Sequence, residues 1–153
     1  MCGIAGIYSN SSLNKSEHEI VKTMLSEMRH RGPDGMGLWS DNNVALGHAL
    51  LAIIGVGSGK QPMSNEDNSI WVTFNGEIYN YKQLKTSLKK KGHIFKTHTD
   101  TEVLVHLYEE YAEDLVHHLN GMFAFAIWDS KNKKLVLARD RLGVKPLFIS
   151  KYK

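Results

Sequence analysis

The residue of this sequence that is best placed to act as a nucleophile is Cys2, the only cysteine in a chain of 153 residues. Cells remove an initial methionine when the next residue is small, and loss of Met1 would leave a terminal cysteine with a thiol and a free α-amine. Such an amine has a pKa of about 7.7–8.0, so it can act as the base that activates the thiol. Position alone still favours an ordinary small buried cysteine, and the other motifs have to decide between the two interpretations.

Six short segments of the sequence favour the nucleophile over an ordinary buried cysteine. They are residues 2–6 (CGIAG), 29–34 (RHRGPD), 75–80 (NGEIYN), 99–102 (TDTE), 121–126 (GMFAFA) and 139–147 (RDRLGVKPL). In this order they resemble the class II glutamine amidotransferases, which are N-terminal-nucleophile hydrolases, and within them the glutaminase domain of the asparagine synthetases. One such segment would be a weak signal, whereas six in the same order are specific and cover nearly the whole chain.

The resemblance implies a mechanism that suits the residue chemistry. The thiol of Cys2 would attack the side-chain carboxamide of glutamine, form a thioester and release ammonia. Asn75, through its side-chain amide, and Gly76, through its backbone N–H, would stabilise the negative charge that builds on the carbonyl oxygen. Each donor of this kind typically contributes about 10²–10³ in rate. Taken alone, an Asn-Gly pair would indicate an ordinary turn.

The resemblance also implies a substrate pocket. Asp100 would bind the α-amine of glutamine, and its position just before a helix also suits a helix cap. Arg31 would lie in the loop near the nucleophile and position it. The positions implied to line the pocket are Leu50, Leu51, Ala52, Ile53, Ile54, Asn75, Gly76, Glu77 and Asp100.

Leu50 departs from the family pattern. The family usually has His-x-Arg-Leu-x-Ile in this stretch, and its arginine binds the α-carboxylate of the substrate, whereas here Leu50 stands at that position and Gly55 replaces a usual aspartate. Loss of a charge-assisted contact commonly costs about 1.5–3 kcal/mol. Two alternatives therefore stay open beside a glutaminase: a non-catalytic domain of the same fold, and an acylase or peptide-modifying relative whose substrate lacks a free carboxylate.

The elements that would carry these residues alternate between strands and helices. The pattern predicts α+β architecture, and the resemblance implies a four-layer αββα sandwich of two mostly antiparallel sheets. The predicted strands are residues 2–8, 44–54, 70–74 (ending in a turn at Asn75-Gly76), 122–128, 135–138 and one beginning at 146. The predicted helices run from a Ser16 cap to near Arg29, from Asn80 to Gly92, and onward from Asp100.

Composition excludes several function classes. A formal charge of +3 is too small and scattered to indicate a nucleic-acid partner, and the basic run at Lys89, Lys90 and Lys91 suits the end of a helix. No signal peptide and no apolar stretch near the roughly 20 residues of a membrane span is present, so the sequence predicts a cytoplasmic location. Residues 55–60 (GVGSGK) fall short of a phosphate-binding loop. No spacing among the eight histidines resembles a zinc site, so we expect no metal and no cofactor here.

The expected partners follow from the resemblance. They are glutamine and a synthetase domain or subunit, which would use ATP and Mg²⁺ to activate aspartate and would receive the ammonia. The sequence has no such region, so residues 1–153 are expected to form a single amidotransferase domain that is truncated at its C-terminal end. A homodimer is left open, and neither nucleic acid nor a membrane is expected as a partner.

Overall fold

The computed structural model describes residues 1–51 and 59–151. The strands are β1 (Gly3–Tyr8), β2 (Gly35–Ser40), β3 (Val44–Leu50), β4 (Met63–Ser64), β5 (Ile70–Ile78), β6 (Gly121–Asp129) and β7 (Lys134–Arg139). The helices are α1 (Lys15–Glu27), α2 (Tyr81–Lys90) and α3 (Glu102–Tyr111), and a 3₁₀ helix (Ala112–His118) follows α3.

The strands form two antiparallel sheets that stack face to face. The first has the order β1-β3-β2 and the second the order β4-β5-β6-β7. Leu46 of β3 and Trp128 of β6 belong to the apolar cluster that joins them, and burial of such large side chains drives the two faces together. The prediction of two mostly antiparallel sheets is confirmed.

Helices cover both outer faces of the stack. Val21 and Leu25 lie four residues apart on α1, so they share one helix face, and they pack against Ala45 and Ala49 of β3. A side chain at Gly47 would come within 2.7 Å of Leu25, so glycine allows α1 to sit this close to the sheet. On the other side α3 packs against the outer face of the second sheet, and the order of layers is αββα.

The Asn75-Gly76 pair is not a turn, contrary to the prediction. β5 continues through both residues to Ile78, because its register with β6 continues to the pair Ile78↔Gly121. Sheet pairing overrides the local preference for a turn. Glycine is required at position 76 for a different reason: a Cβ there would lie 2.2 Å from the Met122 carbonyl oxygen of β6.

Other predicted boundaries also shift. The capping box of α1 is built by Asn14 and Glu17, not by Ser16 and Glu19, because Asn14 accepts from the Glu17 N–H at 3.1 Å and Glu17 reaches back to Asn14. β2 was not predicted, since its sequence GMGLWS lacks a clear alternation.

The stretch beginning at residue 146 is not a strand in the structure, whereas α2, which ends before Gly92, and the β6–β7 hairpin are confirmed. None of the helices in the described ranges has the length and apolar character needed to cross a membrane.

Candidate active site

Cys2 lies immediately before β1, at the edge of the first sheet. The register of β1 with β3 pairs Gly3 with Ala49, so Cys2 continues toward the end of β3. Its half-buried sulfur accepts from the Leu51 N–H at 3.4 Å, and Arg31 Nε donates to the Cys2 carbonyl oxygen at 3.4 Å. The loop before β2 and the end of β3 therefore both hold the residue that carries the thiol.

Asn75 directs its side chain toward the sheet that contains Cys2. Thr73, on the same face of β5, donates its hydroxyl to the Gly47 carbonyl oxygen of β3 at 3.0 Å. Because side chains alternate along a strand, Asn75 and Glu77 share that face, and β1 also packs against β5 across the two sheets. Asn75 is 5% exposed, and its amide makes no hydrogen bond to the described residues.

Gly76 lies at an edge of β5 that none of the strands in residues 1–51 and 59–151 covers. Phe74 donates its N–H away from β6 to the side chain of Gln61 at 2.7 Å, and Ile78 does the same to Asp100 Oδ2 at 2.9 Å. Every second residue of an antiparallel strand directs its N–H to the same edge, so the N–H of Gly76 points there too. β4 ends its pairing with β5 before this point. The Gly76 N–H has no acceptor among the described residues and can be offered to a ligand.

His48 ties the two sheets together beside this edge. Its Nε2 lies 3.2 Å from the Phe74 carbonyl oxygen, to which it donates, and the ring is fully buried. Burial lowers the pKa of His48 from 6.5 to about 4, against the opposing effect of the Phe74 carbonyl. The imidazole is therefore neutral at pH 7, which suits a structural role between β3 and β5.

Asp100 and Glu102 fix the turn that precedes α3. Burial raises the pKa of the Asp100 carboxyl, and the nearby Glu77 carboxylate raises it further, while the Ile78 N–H lowers it. A cation bound at Asp100 would favour its charged form. The Glu102 carboxylate accepts from the N–H groups of Lys96 and Thr97 at 2.6 and 2.7 Å. Asp100 thereby meets the end of β5 and stands near Glu77.

The structure brings several predicted pocket positions together and leaves others outside its description. Leu50 ends β3 and directly precedes Leu51, whose backbone contacts the Cys2 sulfur. Ala52, Ile53 and Ile54 lie outside the described residues.

Two polar residues near the site were not predicted as part of it. Gln61, which was not singled out, accepts from Phe74 and lies within a hydrogen bond of Thr101 at 3.3 Å. Lys145 is 5% exposed, and its ammonium donates to the Met1 sulfur at 3.2 Å, which is its only hydrogen bond to the described residues. Its position in the segment 139–147 was the available signal for Lys145, whereas no local pattern marks Gln61.

Comparison with solved structures defines the class of fold. The glutamine phosphoribosylpyrophosphate amidotransferase from Bacillus subtilis, in complex with ADP and GMP, superimposes on 95% of this chain with a TM-score of 0.75, at 24% sequence identity and over 38% of that chain. The structure of the allosteric regulatory enzyme of purine biosynthesis gives a TM-score of 0.76 at the same identity and coverage. The αββα sandwich is thus the fold of the N-terminal-nucleophile amidotransferases.

Comparison with sequences then gives the family. The family model described as the glutamine amidotransferase domain matches residues 1–153, and the chain belongs to this family. Asparagine synthetase (glutamine-hydrolysing) 3 of Bacillus subtilis (strain 168) is 42% identical over 153 residues, which are 99% of this chain and 25% of the relative. The asparagine synthetase (glutamine-hydrolysing) of Sandersonia aurantiaca is 45% identical over 149 residues, 97% of this chain and 28% of the relative. The chain therefore spans about a quarter of the length of these relatives.

Proposed function

We propose that this domain, once Met1 has been removed, hydrolyses glutamine to glutamate and ammonia through a thioester on Cys2. The observation that carries the proposal is the pair of free donors on β5. The Asn75 amide faces the layer of Cys2, and the Gly76 N–H lies at a strand edge where none of the described residues pairs with it or accepts from it. A backbone N–H without an acceptor is costly in a folded protein, and a developing oxyanion is a ligand that could accept both from it and from the Asn75 amide.

The proposed reaction begins at the new N-terminus. The α-amine of Cys2 takes the thiol proton, and the thiolate adds to the side-chain carbonyl carbon of glutamine. Asn75 and Gly76 stabilise the oxygen of the tetrahedral intermediate, which collapses as the C–N bond breaks and the α-ammonium returns a proton to the leaving ammonia. Water then adds to the thioester by the same route, releasing glutamate and restoring the thiol.

Binding of the substrate amine is assigned to Asp100 and Glu77. These two carboxylates lie close enough for the charge of Glu77 to raise the pKa of Asp100. An ammonium group between them would relieve that repulsion. Arg31 contacts the Cys2 carbonyl oxygen, which supports the role of a positioning residue for the nucleophile.

The proposed recipient of the ammonia is a synthetase domain or subunit that forms asparagine from aspartate and ATP. The relatives carry the name glutamine-hydrolysing asparagine synthetase, and their similarity to this chain occupies about a quarter of their length. Leu142 and Phe148 support this assignment, because their side chains are 89% and 92% exposed. Exposed large apolar side chains suit a surface that another domain covers.

Leu50 supports a second candidate function. This apolar residue ends β3 one position before Leu51, whose backbone contacts the Cys2 sulfur, and its side chain offers no charge to a carboxylate. An acylase or peptide-modifying enzyme acting on an amide without a free carboxylate would use the same nucleophile and oxyanion donors. Leu50 is also compatible with a third candidate, a domain of the same fold that has lost catalysis.

The experiment is glutamate release from glutamine by protein whose N-terminus has been verified by mass spectrometry. Processed wild type is expected to turn over glutamine, and Cys2→Ala is expected to lose all turnover while keeping its melting temperature. Cys2→Ser serves as the matched control, because it keeps a nucleophilic oxygen of similar size. Turnover in Cys2→Ala equal to that of the wild type would overturn the proposal, and an inactive processed wild type would favour the other candidates.

A further inference from the structure

Two histidines and a glutamate meet on the side of α3 that faces the segment between α2 and α3. His93 lies in that segment, and His106 and Glu109 lie on α3. One ligand-type atom from each of the three lies within 4.8 Å of the others. We propose that these three residues, together with Glu66, bind a divalent transition-metal ion of the zinc class. Nothing in the proposed glutaminase chemistry uses this cluster.

The distances suit four-coordinate zinc. Ligand atoms lie about 2.0–2.2 Å from zinc, which places neighbouring ligands of a tetrahedron about 3.3 Å apart. Glu109 Oε2 lies 3.3 Å from His93 Nδ1 and 2.8 Å from His106 Nδ1. Glu66 Oε2 is 3.9 Å from His106 Nδ1. An ion can therefore be placed between the ligand atoms of His93, His106 and Glu109, and the Glu66 side chain would have to turn toward it to become the fourth ligand.

The surrounding residues have the arrangement that orients metal ligands. Metal-binding histidines usually donate their second ring nitrogen to a carboxylate, and His93 Nε2 lies 3.0 Å from Glu110 Oε1. Glu110 is itself paired with Lys91. The second oxygen of Glu109 accepts from the buried Asn65 amide at 2.9 Å. His93 and Glu109 are thus each oriented by a hydrogen bond on the side away from the proposed ion.

His106 is the buried member of the cluster. Its side chain is 1% exposed, and its Nε2 is the only buried side-chain nitrogen or oxygen without a partner in the described part of the chain. An imidazole buried in this way costs free energy. Coordination through Nδ1, the nitrogen that already faces Glu109, would add a bond to this ring, while Nε2 would stay without a partner.

The donor set indicates the class of ion. Two neutral imidazoles and carboxylates are typical zinc ligands, whereas Mg²⁺ and Ca²⁺ prefer oxygen alone. The two carboxylates would balance the charge of the ion. Because Glu66 comes from the turn between β4 and β5, the ion would join that turn, the segment before Asp100 and α3. We therefore expect a stabilising role rather than a catalytic one.

The sequence analysis predicted no metal because it relied on spacing. His93 and His106 lie in different elements, and only the packing of the segment after α2 against α3 brings them together. Without an ion, His93 would contact the Glu109 and Glu110 carboxylates directly, as it does at 3.3 and 3.0 Å. The experiment has to separate these two states.

The test is zinc binding to Cys2→Ala protein, in which the catalytic thiol can no longer bind the metal. Protein freed of metal by a chelator is titrated with zinc against a chromophoric competitor, and its melting temperature is followed. We expect one ion per chain with micromolar affinity or better, and a rise in melting temperature of roughly 5–10 °C at a hundredfold excess over the dissociation constant. Cobalt(II) should give the visible absorption of a four-coordinate site.

The variants are His93→Gln and Glu109→Gln, each in the Cys2→Ala background. Both are expected to weaken zinc binding at least tenfold and to abolish the thermal shift. His117→Gln is the matched control, because His117 is 71% exposed and lies 3.9 Å from Asp114 without other ligand-type partners, and it should leave binding unchanged. Ion pairs alone would give no stoichiometric binding, and that result, or equal binding by His93→Gln and wild type, would overturn the proposal.

Discussion

The two halves of β5 use the same backbone pattern for opposite purposes. In the first half, Thr73 donates its hydroxyl to β3, and both backbone groups of Phe74 have side-chain partners in Gln61 and His48. In the second half, neither the Asn75 side-chain amide nor the Gly76 N–H makes a hydrogen bond to any of the described residues. Within two residues the strand thus changes from a half whose polar groups are hydrogen-bonded, the bonded half, to a half whose donors are unbonded, the open half.

Hydrogen-bonded neighbours can hold unbonded donors rigidly in place for a ligand. An unsatisfied donor stays in place only when its neighbours fix the backbone. Gln61 and His48 hold the residue before the open pair, and Asp100 holds the Ile78 N–H after it. Substitutions in the bonded half should therefore change stability, and substitutions in the open half should change catalysis.

Among substitutions in β5, Asn75→Ala should have the largest effect. Loss of one oxyanion donor should lower kcat for glutamine about 10²–10³-fold, with little change in melting temperature, because the amide makes no hydrogen bond to the described residues. Thr73→Val is the matched control on the same face of β5: it should cost about 1–2 kcal/mol in the free energy of unfolding and leave kcat within about twofold. Steady-state kinetics and urea unfolding measure both. Equal losses of kcat in the two variants would remove the distinction.

The next effect concerns the bonded half and its dependence on pH. The pKa of His48 is about 4 in the folded protein and 6.5 in the unfolded chain, so between these values the unfolded chain binds the extra proton. Stability is therefore lost as pH falls from 6.5 to 4, by about 3 kcal/mol from this residue. Urea unfolding at a series of pH values measures it.

His48→Asn is the comparison for that measurement. Asparagine can still donate to the Phe74 carbonyl, but it does not titrate, so the variant should lack this part of the acid loss. If wild type and variant lost stability in parallel between pH 6.5 and 4, the burial of a neutral imidazole would not be the cause.

The smallest expected effect is a change in the KM for glutamine, which tests whether glutamine is the ligand of the open half. If glutamine is the substrate, Leu50→Arg should lower KM roughly tenfold, since one restored carboxylate contact contributes about 1.4 kcal/mol, while kcat changes little because the contact is felt equally in ground and transition states. Leu50→Gln, similar in length but uncharged, is the control. A wild-type protein that already binds glutamine tightly, or a variant with unchanged KM, would show that Leu50 does not replace a lost anchor.

The fold was largely predictable, because its signals are local. The helical spacing of Val21 and Leu25, the end of α2 before Gly92 and the β6–β7 hairpin all depend on neighbours in sequence, and the structure confirms them. The prediction of a turn at Asn75-Gly76 was wrong because the conformation of this pair is not decided locally. Whether such a pair turns or extends depends on the partner strand, here β6, which lies far away in the sequence.

The site was predictable only where motif and chemistry coincide. Cys2, Asn75, Gly76 and Asp100 were named from their motifs, and their catalytic roles stay predictions. The groups that hold them in place were not named. Gln61 and His48 act through contacts between β3, β5 and the segment before β4, and no residue pattern within a single element records such contacts.

The short turn from Asp100 to Glu102 has a consequence for how this domain can change during evolution. Asp100 is tied to the end of β5, and Glu102 is tied to the backbone of Lys96 and Thr97. One residue inserted between them would rotate the start of α3 by about 100° relative to Asp100, and both ties could not then be kept. Lineages should therefore never gain or lose a residue here, whatever substitutions they accept elsewhere in the segment before α3.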